Sequence, residues 1–303
     1  MSSSPSSSSP SPHAPSDPSR GLGALLSPAE LQALLVGPEQ DRPVLVDVRW
    51  ALGAGTEANR AAYLEGHLPG AVFLDLESAL SDPLREDGAG GRHPMPSRER
   101  VQSALRAAGV RQHGAVVFYD ADRSLGAARA WWVASYYGVQ AAVLDGGLAA
   151  WQTAGLPVVP GEVEAEEGDV ELVTGGRELL DAAGVQAHLE AGGQLIDARP
   201  ADRYRGQNET IDPVAGHIPG ALSLPALSLV PDGPFVDSEG LVRRLTEAGG
   251  VTDRPTAVYC GSGVQAAHLA LALEAHGVGP RPAVYVGSWS DWISDLSRPV
   301  ESD

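Results

Sequence analysis

The feature that most constrains this chain is that it repeats itself. VLVDVR at 44–49 returns as QLIDAR at 194–199, and GHLPGA at 66–71 returns as GHIPGA at 216–221, both at an offset of 150. AVVFYD at 115–120 matches TAVYC at 256–260, which sets Tyr119 against Tyr259 and Asp120 against Cys260. LDGGLAAW, ending at Trp151, matches YVGSWSDW, ending at Trp292. Such matches, all in one order, imply a tandem duplication of a single unit. A solenoid would need three or more shorter repeats.

Each half alternates short apolar runs with helical stretches. VLVDV, AVVFYD and AAVLD are brief, β-branched and bounded by turn residues, so they read as buried strands. SPAELQALL, SRERVQSALRAAG and SLGAARAWWVASYYG read as helices with serine start signals, the latter two closed by glycine. This alternation predicts an α/β fold of two tandem domains, each a parallel sheet with helices on both faces. Residues 1–20, nearly all Ser and Pro, are expected to form a disordered tail. One domain is expected over 21–157 and the second, catalytic one over 177–303, joined by the acidic stretch 158–176 as a linker.

Composition removes several chemistries. Among 303 residues there is one cysteine, Cys260, and no lysine, so all 21 basic residues are arginine. Without lysine there is no Schiff-base nucleophile and no P-loop. A single cysteine excludes an internal disulfide, a CxxC redox pair and a multi-cysteine zinc site. The eight histidines show no HExxH or other ligand spacing, so neither a metal nor another cofactor is expected. A net charge of −18 with no basic run argues against nucleic acid and anionic membranes as partners. No secretory h-region or membrane-spanning apolar run is present, and a lone thiol fits a reducing compartment, so a cytoplasmic location is expected. An anionic substrate would need a local arginine cluster.

Subtracting one copy from the other separates fold from chemistry. The shared positions are Asp47 and Arg49 with Asp197 and Arg199, His67 with His217, and Trp151 with Trp292. Residues kept in both copies read first as structural. The differing positions are sharper. Copy one continues from its strand as DADRSLGAARAWW and copy two as CGSGVQAAHLALAL. Arg203 and Arg205, in DRYRG, stand where copy one has Gly53 and Gly55.

A lone thiol is either inert packing or a nucleophile, and the glycine-rich loop decides for the nucleophile. Cys260 sits between a buried strand and a helix start, where unpaired amides and the helix dipole favour an anion. Gly261 and Gly263 allow the backbone to curl around the sulfur, and Ser262 adds a hydroxyl. A free thiol is only a few per cent ionised at pH 7, so such a cradle has work to do. A tyrosine-phosphatase-type loop needs an arginine six residues on, where this chain has Ala266. No GxSxG elbow offers a serine nucleophile, and a papain-like site needs a paired histidine and another topology. Attack of a thiolate on a donor's sulfur, giving a persulfide, remains.

These residues together resemble the two-domain rhodanese family of sulfurtransferases over residues 24–300. The resemblance rests on the duplicated GHxPGA, ARAWW, DGGLxxW, the DAR…RYRG segment and CGSGV followed by GSWSDW. It implies a silent first domain, an active second domain and a site at their interface. The neutral CGSGV loop resembles the 3-mercaptopyruvate branch, whereas the thiosulfate branch carries a basic loop. On that likeness Cys260 carries the sulfur, and Ser262 and the first-domain His67 form a proton network. Arg199 and Arg203, with Arg205 as a further candidate, hold the donor's carboxylate, and Gly261, Gly263, Val264 and Gln265 complete the loop. The branch's first-domain aspartate has no counterpart among Glu57, Ala58, Asn59 and Arg60. Gln265 stands in place of a usual threonine and Val286 in place of a common aspartate. The implied partners are a small anionic sulfur donor and a thiol or cyanide acceptor. A thiosulfate donor, or a non-enzymatic persulfide carrier, stands as the alternative.

Overall fold

The computed structural model describes residues 22–51 and 53–302, so the tail expected over 1–20 lies outside the described residues. The first sheet is formed by β1 (Leu25–Leu26), β2 (Val44–Asp47), β3 (Val72–Phe73), β4 (Ala115–Tyr119) and β5 (Gln140–Leu144). Its strands are all parallel, in the order β1-β5-β4-β2-β3. The second sheet comprises β6 (Leu179–Leu180), β7 (Gln194–Asp197), β8 (Leu222–Ser223), β9 (Thr256–Tyr259) and β10 (Ala283–Tyr285). Its order, β6-β10-β9-β7-β8, and its parallel pairing repeat the first. Even the register repeats, with Asp47 opposite Tyr119 and Asp197 opposite Tyr259. The duplication read from the sequence is therefore a duplication of topology.

Strand alternation divides the core into three. From β4, Val116 and Phe118 enter a central core shared by both halves, while Val117 and Tyr119 face an outer core with Leu45 and Trp151. From β9, Val258 turns to the shared core, while Ala257 and Tyr259 face a second outer core with Trp289 and Trp292. The shared core is built around two helices, Leu125–Tyr136 and Val264–Ala275, which pack on each other. Both are buried on nearly every face, and their many alanines permit close approach.

The residues common to both copies serve this frame. Trp151 Nε1 donates to Pro157 O at 2.8 Å and Trp292 Nε1 to Pro299 O at 2.9 Å, each pinning the chain that leaves its last helix. His67 and His217 form backbone bridges to the same returning segments, at Val159 and Glu301. The acidic stretch 158–176 is a strap rather than a loose tether. Val170 and Leu172 are buried, and the amides of Gly161, Val170 and Val173 bond to carbonyls of Leu64, Val110 and Tyr137. Among the described residues no helix is long and apolar enough to cross a membrane.

Candidate active site

Asp120 and Cys260 each follow the central strand of their sheet, and each precedes one of the two packed helices. Because those helices lie against each other, both loops open onto one cavity of about 430 Å³ between the halves. Cys260, Gly261, Ser262, Val264 and Gln265 line it from the second domain, and Asp120 and Arg92 from the first.

Cys260 is only 2% exposed, and its Sγ accepts the Gly263 amide at 3.1 Å. Gly263 has φ +86, and a Cβ there would lie 2.5 Å from the Val286 carbonyl, so no other residue fits without moving the loop. Backbone bonds fix the rest. The amides of Trp289 and Ser290 donate to the carbonyls of Cys260 and Gly261 at 2.9 and 3.1 Å. The Cys260 amide donates to Ser288 Oγ at 3.1 Å, and that hydroxyl donates to Tyr285 O.

The first copy uses the same frame with a carboxylate in place of the thiol. Leu148 and Ala149 amides hold the carbonyls of Asp120 and Ala121, both at 2.9 Å. Here the Asp120 carboxylate itself fills the cradle, accepting the amides of Ser124 at 2.9 Å and Gly126 at 3.0 Å. Burial pushes the Asp120 carboxyl up to about 6, so an ionised group in that cradle is held by its amides against a cost of desolvation. A cradle satisfied by its own carboxylate has no nucleophile to present. This is the physical content of the difference between the copies.

Beside the sulfur runs a line of polar groups. Ser262 Oγ lies 2.8 Å from His93 Nδ1, and His93 Nε2 lies 3.1 Å from Glu77 Oε1. Trp50 Nε1 donates to the same Glu77 oxygen at 2.8 Å. The hydrogen bond from His93 holds the Glu77 carboxyl below its usual range. Serine, histidine and carboxylate thus form a chain along which a proton can move to or from the cavity.

A pair of guanidiniums lies on the Gly261 side. Arg203 Nη2 donates to Asp212 at 2.7 Å, and Arg92 Nη1 bonds the other oxygen of Asp212. Their other ends converge. A Cβ on Gly261 would stand 2.9 Å from Arg92 Nη2 and 3.6 Å from Arg203 Nη1.

Several residues expected here lie elsewhere. His67 is fully buried and stacked on Tyr63, with its ring nitrogens 2.9 and 3.0 Å from the carbonyls of Leu68 and Gly161; it does not line the cavity. Its task is the returning strap, as its repeat in His217 implies, and the histidine that reaches Ser262 is His93. Arg199 is likewise removed from the cavity. It is fully buried, paired with Asp197 at 2.6 Å, bonded to Gly216 O and set over the Trp289 ring. Arg49 makes the same bonds to Asp47 and Gly66 O in the silent copy, so this pair belongs to the fold. Arg205 is exposed, and its Nε reaches Gln207. Gly263 takes part through its amide, and Gln265 and Val264 line the cavity wall.

Arg92, His93 and Glu77 escaped the sequence reading, though a signal was there. The repeat offset falls from 150 at Ala71 and Ala221 to 140 at Tyr119 and Tyr259, so copy one carries ten more residues in between. The structure places them between the helices Leu76–Ala79 and Arg98–Ala107, in the loop that carries Arg92 and His93. Ser290 and Asp291, which stand where copy one has Ala149 and Ala150, dock that loop. Ser290 Oγ accepts the Arg92 amide at 3.0 Å and Asp291 Oδ1 accepts the Gly90 amide at 2.7 Å.

Comparison with known proteins agrees with this fold. The model of the rhodanese-like domain matches twice, over residues 27–154 and 181–295. A Pseudomonas aeruginosa protein named as a probable 3-mercaptopyruvate sulfurtransferase is 44% identical, over 91% of this chain and 97% of that protein. The thiosulfate sulfurtransferase of Bos taurus is 33% identical, over 82% of this chain and 84% of its own. The crystal structure of SseA from Escherichia coli, described as a 3-mercaptopyruvate sulfotransferase of "rhodanese" fold, superposes with a TM-score of 0.77 at 35% identity. That match covers 88% of this chain and 99% of SseA. With two matched domains, one cradle bearing the thiol and the other a carboxylate, the chain belongs to the rhodanese family and is a sulfurtransferase.

Proposed function

We propose that this sulfurtransferase carries sulfur on Cys260, from 3-mercaptopyruvate to cyanide or a thiol. The observation that carries the reading is the meeting of three features on one cavity: the sole thiol, a proton-relaying line and a pair of guanidiniums. In the first step the Cys260 thiolate attacks the donor's sulfur and an S–S bond forms. The donor's C–S bond breaks and its electron pair passes to carbon as the enolate of pyruvate. The proton of the donor thiol ends on that carbon, with Ser262, His93 and Glu77 as its route. In the second step cyanide or a thiolate attacks the outer sulfur, the S–S bond breaks and the pair returns to Cys260. No external electron is needed.

The donor's carboxylate fits between Arg92 and Arg203, each of which has a guanidinium end turned to Gly261. The loop itself is neutral, which suits a carbonyl beside the reacting carbon better than a second full charge. A cytoplasmic location accords with the free thiol this chemistry needs.

The test is to compare 3-mercaptopyruvate with thiosulfate, with cyanide as acceptor, in the wild type and in Arg92→Met. The expected outcome is a kcat/KM at least about tenfold higher for 3-mercaptopyruvate. In the variant its KM should rise about tenfold while kcat moves little, as loss of a ground-state charge pair requires. A preference for thiosulfate would reassign the donor. Saturable binding of sulfur without turnover of either would favour the carrier reading.

A further inference from the structure

Behind the Cys260 loop lies a charge with no ion-pair partner among the described residues. Arg129, from the silent domain's helix Leu125–Tyr136, is fully buried, and among the described residues no carboxylate comes within ion-pair distance of it. Arg199, equally buried, has Asp197 at 2.6 Å and Glu209 at 3.7 Å. Arg129 Nη2 donates to the carbonyls of Leu80, His93 and Pro94 at 3.1, 3.1 and 3.2 Å. Its Nη1 finds no acceptor among the described residues and faces the thiol loop, 2.9 Å from where a Cβ on Gly263 would stand. Gly263 is the residue whose amide bonds the sulfur.

A buried guanidinium held by carbonyl dipoles, with the Glu77 carboxylate acting on it only from beyond ion-pair distance, is unfavourable, and an adjacent anion corrects it. Burial pushes Arg129 down to about 10, and Cys260 is the foremost group pushing it back up.

The duplication supplies a control. Arg129 is the fifth residue of its helix, and the fifth residue of the partner helix Val264–Ala275 is His268. Burial drives His268 down to about 3, so it is neutral. The helix of the silent half thus contributes a cation to the packed pair, and the helix of the thiol half contributes none at the matching place. Arg92, Arg203, Arg123, Asp120 and Asp122 line the cavity, and Glu77 and His93 reach it through Ser262. Arg92, Arg203 and Arg123 reach solvent, whereas the Arg129 guanidinium is fully buried, where salt screens it least.

We propose that Arg129 is a positioning residue contributed by the silent domain, whose charge holds the Cys260 sulfur as an anion, first as thiolate and then as persulfide. The silent half is then an electrostatic part of the site as well as its wall. The proposal rests on Cys260 as the sulfur carrier, but its test needs neither donor nor acceptor.

The rate of alkylation of Cys260 by iodoacetamide, followed in the full chain against pH, reads the anionic fraction directly. Arg129→Met should alkylate about tenfold more slowly at pH 7, with its profile displaced to higher pH, and Arg129→Lys should restore most of the rate. A folded Arg129→Met protein whose profile superimposes on the wild type overturns the proposal. A second measurement needs no variant of Arg129. The side-chain 15N resonance of Arg129 should move with pH in step with the alkylation profile, and that step should vanish once Cys260 is alkylated. A resonance indifferent to both overturns the proposal as well. If Arg129 behaves as stated but no donor turns over, the sulfur-transfer reading fails instead.

Discussion

Replacing Cys260 by serine lowers thiocyanate production by roughly four orders of magnitude or more and leaves the fold in place. A serine hydroxyl is not ionised at neutral pH, and with one cysteine in the chain no other thiol can take over. The fold should survive because serine keeps an acceptor for the Gly263 amide, and because the bonds holding the loop come from the backbone. The expected cost in stability is about 1–2 kcal/mol, as for a small change at a well-packed site. Steady-state thiocyanate formation, with far-ultraviolet circular dichroism and thermal melting as controls, measures both parts. Activity within tenfold of wild type would show that sulfur does not pass through Cys260.

Replacing His93 by glutamine slows the first half-reaction with 3-mercaptopyruvate by about 10²–10³-fold, the range for loss of a proton-transferring group. It should leave the discharge of a preformed persulfide by cyanide within about threefold of wild type. The asymmetry follows from the chemistry. The first step must deliver a proton to carbon, whereas the second releases a thiolate and needs none. Glutamine retains a group able to hydrogen-bond Ser262, which separates loss of proton transfer from loss of packing. Single-turnover measurement of each half-reaction tests this. Equal slowing of both would make His93 a support for the loop and nothing more.

Much of the fold was legible because a duplication is a long-range statement that local propensity cannot make. Matching Asp47 with Asp197 and Tyr119 with Tyr259 anticipates the register that both sheets share. Cys260 stands out in the sequence for the same reason, since Cys260 and Asp120 occupy one place in two otherwise similar loops. His67 and Arg199, which both copies keep, bond Gly161 and Asp197 and do not line the cavity.

What stayed hidden came from the first domain. Arg92 and His93 lie on a loop with no counterpart in copy two, and Glu77 and Arg129 lie on helices whose facing partners depend on how the halves pack. A side chain's neighbour across a domain interface is set by the sum of many apolar contacts. Here those contacts are made by two helices, Leu125–Tyr136 and Val264–Ala275, neither of which carries the nucleophile. The changed repeat offset marks the inserted loop, but only packing reveals that it meets the Cys260 loop at Gly261 and Ser262.

The most direct test is the intact mass of the full chain after brief exposure to 3-mercaptopyruvate and removal of excess donor. The expected result is a gain of one sulfur atom per chain, mapped to Cys260, lost on addition of cyanide with one thiocyanate released for each sulfur removed. Sustained thiocyanate production from a chain that never gains that sulfur, or gains it at a residue other than Cys260, would contradict the account.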